Sequence, residues 1–96
     1  MSKKEIINEI ESKAGFLKEK YQVKNIGLFG SAARGEETLE SDVDILVEFE
    51  SPVGFFEFIR LENYLSELIG KRVDLVSKKS IKPAVREEIF KEVIYV

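Results

Sequence analysis

The chain has no cysteine and no histidine. The first absence excludes disulfides and thiolate chemistry. The second removes the commonest general base and the commonest zinc ligand. Any metal would be held by carboxylates, which favours Mg²⁺ with Mn²⁺ as the alternative. No apolar run approaches the roughly 20 residues of a membrane span, and no apolar stretch follows the opening Met-Ser-Lys-Lys-Glu as in a secretory leader. The expectation is a cytoplasmic protein with no membrane partner. Basic character is missing too: the net charge is −3, which argues against direct nucleic-acid binding.

Aspartate is the scarce acid. Of 18 acidic residues only Asp42, Asp44 and Asp74 are Asp. Aspartate is disfavoured in strands, yet all three lie in or at the start of strand-like apolar runs. Where surface charge suffices the chain uses Glu, so the short carboxylates have a specific task.

Ninety-six residues, 44% of them apolar, make one domain spanning 1–96. Ser2 to about Lys20 reads as one helix, opened by the capping-box pair Ser2 and Glu5, with Ile6, Ile7, Ile10, Ala14 and Leu17 on its apolar face. Residues 25–29 read as a strand, 31–34 as a short helix or turn, and 35–41 as a polar loop. Residues 42–49 alternate cleanly. Val43, Ile45, Val47 and Phe49 face a core; Asp42, Asp44, Leu46 and Glu48 face solvent or a cleft. After a break at 51–54, a helix runs from Phe55 to Ile69 and is ended by Gly70. Phe55 and Phe56 read as core or helix-start packing ahead of a base-stacking platform. A third strand covers Arg72 to Val76. Pro83 opens a final helix with Val85, Ile89, Phe90 and Val93 on its apolar face. The apolar tail Ile94-Tyr95-Val96 suits a short strand or a partner surface. The loop between the first two strands is short for a parallel crossover, so that pair should be antiparallel. The predicted fold is α/β (α+β): a small mixed sheet with helices on one face and the aspartates on the other.

Two segments carry chemistry. A strand ending in Gly30-Ser31 and opening a helix offers backbone N–H groups to an anion. Arg34 is placed either to reach the same phosphates or to pair with a nearby Glu. Asp42 and Asp44, two residues apart on a strand, share a face. With Asp74 they form an acidic face that repels itself unless a cation sits there. A phosphate cradle opposite a divalent-metal site suits in-line attack on phosphorus. No protein nucleophile is evident, so the attacking group should belong to a second substrate.

Gly30-Ser31, Arg34-Gly35, Ser41-Asp42-Val43-Asp44 and Val73-Asp74-Leu75 together resemble the signature of the nucleotidyltransferases with the polymerase β-type catalytic fold. At this length the chain is similar to the minimal nucleotidyltransferases, the MNT or MntA-like antitoxins, over essentially its whole length. The resemblance implies that Gly30 and Ser31, with Arg34, bind the triphosphate. It implies that Asp42, Asp44 and Asp74 are catalytic and ligate two Mg²⁺ ions. It further implies AMP transfer from ATP to a tyrosine of a HEPN-domain toxin partner. Two rivals stand beside this: a non-catalytic module that neutralises its partner by docking, and transfer to a small molecule, for which no second domain is available. A small domain with an apolar tail is also suited to self-association as a homo-oligomer.

Overall fold

Hydrophobic periodicity places the elements, and long-range pairing arranges them. The computed structural model describes residues 2–36 and 41–96. The elements are α1 (Lys3–Ser12), α2 (Ala14–Tyr21), β1 (Val23–Phe29), α3 (Gly30–Arg34), β2 (Val43–Phe49), α4 (Phe55–Ile69), β3 (Val73–Ser77), α5 (Pro83–Glu92) and β4 (Ile94–Tyr95), with a 3₁₀ turn at Lys78–Ser80. Part of the predicted polar loop, residues 37–40 with Glu37 and Glu40, lies outside the described residues.

The four strands form one mixed sheet in the order β3-β2-β1-β4. β1 and β2 are antiparallel, as the short connection demands. β2 and β3 are parallel, with α4 as the crossover between them. The tail closes the sheet as β4, antiparallel to β1.

On one face, Ile26 and Leu28 of β1, Val43, Ile45 and Val47 of β2, and Val73 and Leu75 of β3 pack with Ile6, Ile10 and Leu17 from the N-terminal helices and Leu61, Leu65 and Ile69 of α4. The even positions of β2 point the other way. There Leu46 joins Phe29 and Ile81 in a second, smaller cluster, covered by Ile89 and Val93 of α5. Leu46 is 1% exposed. The face carrying the aspartates is therefore part cleft and part core. Among the described residues no helix is long and apolar enough to cross a membrane.

The structure corrects three local expectations. The N-terminal helix is two helices. Ser2 and Glu5 do form a reciprocal capping box, but the chain leaves helical geometry at Lys13 (φ −110°, ψ 11°). Past that joint Ala14 is exposed, Leu17 turns inward, and Phe16 packs its ring 5.1 Å from Tyr64 of α4. Phe55 and Phe56 are not core residues. They are 72% and 75% exposed and stack edge to face, 5.8 Å between ring centroids, at the start of α4. Finally, only half of the apolar face read on α5 is covered: Ile89 and Val93 pack, whereas Val85 and Phe90 stay exposed.

Candidate active site

β2 places Asp44 at its second position, and β1 and β3 flank it. The antiparallel register sets Phe29 opposite Asp44, and the parallel register sets Asp74 opposite Asp44 on the other side. The sheet thus brings two aspartates 30 positions apart onto adjacent strands and onto one face. Asp42, two residues before Asp44, lies at the mouth of the strand, with the Arg72 Nε 4.0 Å from its Oδ2. Asp44 is half-buried, while Asp42 and Asp74 are exposed. Among the described residues, no three acidic side chains already stand close enough together to enclose an ion.

Electrostatics mark Asp44 as the strained member. Burial pushes its carboxyl above the ordinary value, and the charges of Asp74, Asp42 and Glu92 push in the same direction, with Arg34 opposing. A hard cation would relieve that repulsion, and an all-oxygen donor set is the chemistry Mg²⁺ selects.

The strand-to-helix turn explains its own sequence. Gly30 has φ +68°, and a Cβ built there would collide with the Asp44 carboxylate. Only glycine meets both demands without strain. The predicted cradle is therefore in direct contact with the predicted metal face. Ser31 follows, half-buried, at the start of α3, and Gly35 (φ +71°) ends this single helical turn.

Arg34 and the glutamates are placed less as expected. The Arg34 Nε donates to Glu36 Oε2 at 2.6 Å, and its Nη1 donates to Glu92 Oε2 at 2.8 Å. The ion-pair alternative for Arg34 is thus realised, and Glu36 is a partner instead of a free loop charge. Glu48, on the aspartate face, accepts from Asn25 Nδ2 at 2.8 Å and lies 3.7 Å from Lys78 Nζ, which ties it up away from Asp44.

Sequence reasoning missed three residues near the site. Glu92, at the end of α5, accepts a 2.9 Å hydrogen bond from the Gly30 N–H. Ser66 and Glu62 of α4 accept from the Val73 and Leu75 N–H groups at 3.0 and 2.9 Å. Those two donors bracket Asp74 on an edge strand, so α4 saturates the outer side of β3 and fixes the carboxylate's position. No sequence signal distinguishes them: each is a polar residue on a helix, read as its wet side. A cavity of about 520 Å³ lies elsewhere, at the far ends of β2 and β3, lined by Phe49, Val53, Phe55 and Phe58 together with Lys78 and Lys79.

The family model described as "Nucleotidyltransferase domain" matches residues 10–96. A protein named protein adenylyltransferase MntA, from Thermococcus cleftensis, is 50% identical over 80 residues, which is 83% of this chain and 81% of that protein. A solved structure provisionally described as a minimal nucleotidyltransferase superposes with a TM-score of 0.84 at 34% identity, covering 98% of this chain and 95% of the other. A Shewanella oneidensis complex, described as a tri-AMPylated HEPN toxin with its MNT antitoxin, shares the fold at a TM-score of 0.65 and 22% identity, covering 93% and 68%.

Proposed function

Because this chain belongs to the nucleotidyltransferase domain family, we propose that it is the protein-modifying kind: it transfers AMP from ATP to the hydroxyl of a tyrosine on a HEPN-type toxin partner and so acts as an antitoxin. The observation that carries the proposal is the register of β2 against β3, which sets Asp74 beside Asp44 on a face directly touched by the Gly30 turn. The name of the Thermococcus relative supports the protein substrate. The description of the Shewanella complex supports the HEPN partner.

In this reading the turn at Gly30 and Ser31 receives the outer phosphates: Ser31 offers its backbone N–H, and glycine at position 30, whose own N–H is donated to Glu92, lets the chain approach without a side chain in the way. Arg34 stands at the other end of the same helical turn and contributes positive charge. Asp42, Asp44 and Asp74 are the residues that would hold two Mg²⁺ ions, or Mn²⁺ in their place. When bound, the metals would supply charge stabilisation for the attacking and leaving oxygens. Asp74, exposed at the cleft edge, orients the incoming phenol and takes its proton. The phenolic oxygen forms a bond to the α-phosphorus as the bond to the β-phosphate oxygen breaks, and pyrophosphate leaves. Asp44, half-buried, is the ligand whose burial is offset only when a cation is present.

The docking module is the second reading, and one observation favours it: Phe55 and Phe56 lie exposed beside an apolar cavity that none of the three aspartates lines. One experiment separates the two. The protein is incubated with Mg²⁺ and ATP labelled at the α-phosphate, with and without a HEPN-domain protein encoded beside it, and Asp44→Asn is the control. Label on a partner tyrosine that vanishes in the mutant is the expected result. A stable, inhibitory complex without label would replace the transferase reading with docking.

A further inference from the structure

None of the residues of α5 is buried, yet its C-terminal end is held firmly. Val93 and Ile94 pass directly over Gly27, where even an added methyl group would lie 2.8 Å from the Ile94 carbonyl oxygen. β4 then pairs with β1, and the Val96 N–H donates to the Ile26 carbonyl at 2.9 Å. Glu92 is the residue just before this docked segment, so its backbone is placed by the sheet and not by its own helix.

Its side chain spans a second element. One carboxylate oxygen takes the Gly30 N–H at 2.9 Å, and the other takes Arg34 Nη1 at 2.8 Å. Gly30 and Arg34 are the first and last residues of α3. A five-residue helix has too few internal hydrogen bonds to persist by itself, and the glycine that opens it has no Cβ to restrict its backbone. A single carboxylate bridging both ends supplies what the turn lacks. Both bonds are charge-assisted at the acceptor, the stronger class of hydrogen bond. The arrangement also carries an electrostatic cost, since it adds a fourth carboxylate to the neighbourhood of Asp44. A neutral acceptor could have closed the turn without that cost.

We propose that Glu92 is a positioning residue of the nucleotide site: from the far end of the chain it clamps both ends of the Gly30–Arg34 turn, so that the turn meets the triphosphate already shaped. The inference rests on the nucleotide reading above and adds a residue to it. Glu92 acts through Gly30 and Arg34 and does not touch the nucleotide. The last strand is on this view part of the site's support, because β4 and the close pass over Gly27 determine where Glu92 stands.

The test uses binding of Mg²⁺ with the non-hydrolysable ATP analogue AMP-PNP, followed by calorimetry, to the full chain and to Glu92→Gln and Glu92→Ala. Amide hydrogen exchange at Gly30 is read in the same proteins without nucleotide. In Glu92→Ala the Gly30 amide should exchange faster and affinity should fall by about tenfold, the scale of one hydrogen bond to a charged group. In transfer assays KM for ATP should rise while kcat at saturation holds. Glu92→Gln keeps an acceptor for the Gly30 N–H and should recover part of the affinity; it also serves if the alanine variant does not fold. Unchanged affinity in both variants, with wild type binding normally, would overturn the proposal. Tighter binding would do so too, since it would make Glu92 a competitor for the phosphate. Failure of the wild type to bind the analogue at all would instead bring down the nucleotide reading and this inference with it.

Discussion

Gly30→Ala puts a methyl group where the Asp44 carboxylate stands, and its cost can be worked from two separate causes. The first is backbone: at φ +68° an alanine is strained by about 1–2 kcal/mol. The second is collision. The built Cβ overlaps Asp44 Oδ2 and lies 3.1 Å from Asp44 Cγ, and turning that side chain off its rotamer costs about 0.5–1.5 kcal/mol. Together these amount to about 1.5–3.5 kcal/mol. Unfolding entropy near 2.1 cal/mol/K per residue gives about 0.2 kcal/mol/K for 96 residues, so the melting temperature should fall by roughly 7–18 °C. The two causes separate in a double-mutant cycle with Asp44→Ala, assayed by thermal and denaturant unfolding. In that background the carboxylate is gone and the nearest remaining atom, the Asp44 Cβ, is 3.4 Å away. There the same glycine substitution should cost only the backbone part, leaving a coupling of about 1 kcal/mol. Transfer by Gly30→Ala should drop by about 10²-fold, the usual penalty for displacing a reacting group by an ångström. Equal losses of stability in both backgrounds would refute the contact between turn and metal face, and with it the argument that the cradle and the aspartates form one site.

Two further predictions concern the carboxylates. On the proposed reading Mg²⁺ or Mn²⁺ would bind only the folded arrangement of Asp42, Asp44 and Asp74, so at 100 times its Kd it should add about 2.7 kcal/mol and raise the melting temperature by about 13 °C; scanning calorimetry that shows no shift with either ion, with ATP present, would remove the metal site. For Asp44 the folded carboxyl is raised above its unfolded value, so its contribution to stability is full below the ordinary carboxylate range and is lost as pH rises through the folded value. In chelator, Asp44→Asn should therefore match the wild type at low pH and melt above it at neutral pH, and it should abolish transfer; a neutral-pH melting temperature below that of the wild type would contradict the assigned sign.

Much of this was legible along the chain because it depends on local repeats. The alternation in β2 placed Val43, Ile45 and Val47 inward and Asp42 and Asp44 together on the other side, and the structure keeps that division. The short first loop implied an antiparallel β1–β2 pair. Ser2 with Glu5, Gly70 and Pro83 marked helix ends where helices do begin and end. The helix joint at Lys13 was not legible, since its neighbours carry an unbroken helical period and the packing past it, Phe16 against Tyr64 and Leu17 into the core, is non-local. Nor was the exposure of Phe55 and Phe56: an aromatic pair at a helix start looks like core until the helix's orientation is known.

Local patterns along the chain specify the inventory: which residues are strand and helix, that two aspartates share a face, and that a glycine-serine turn closes the first strand. These follow from backbone periods of 2 and 3.6 and from steric limits at single positions, which need no knowledge of the rest of the chain. The tertiary structure alone decided what stands beside what. It set Asp74 against Asp44 through a parallel register, gave Leu46 a second core beneath α5, brought Glu62 and Ser66 to the edge of β3, and carried Glu92 across 62 positions to the Gly30 amide. Pairing register and the return of a distant helix are set by the sum of many non-local contacts, and no local repeat encodes that sum.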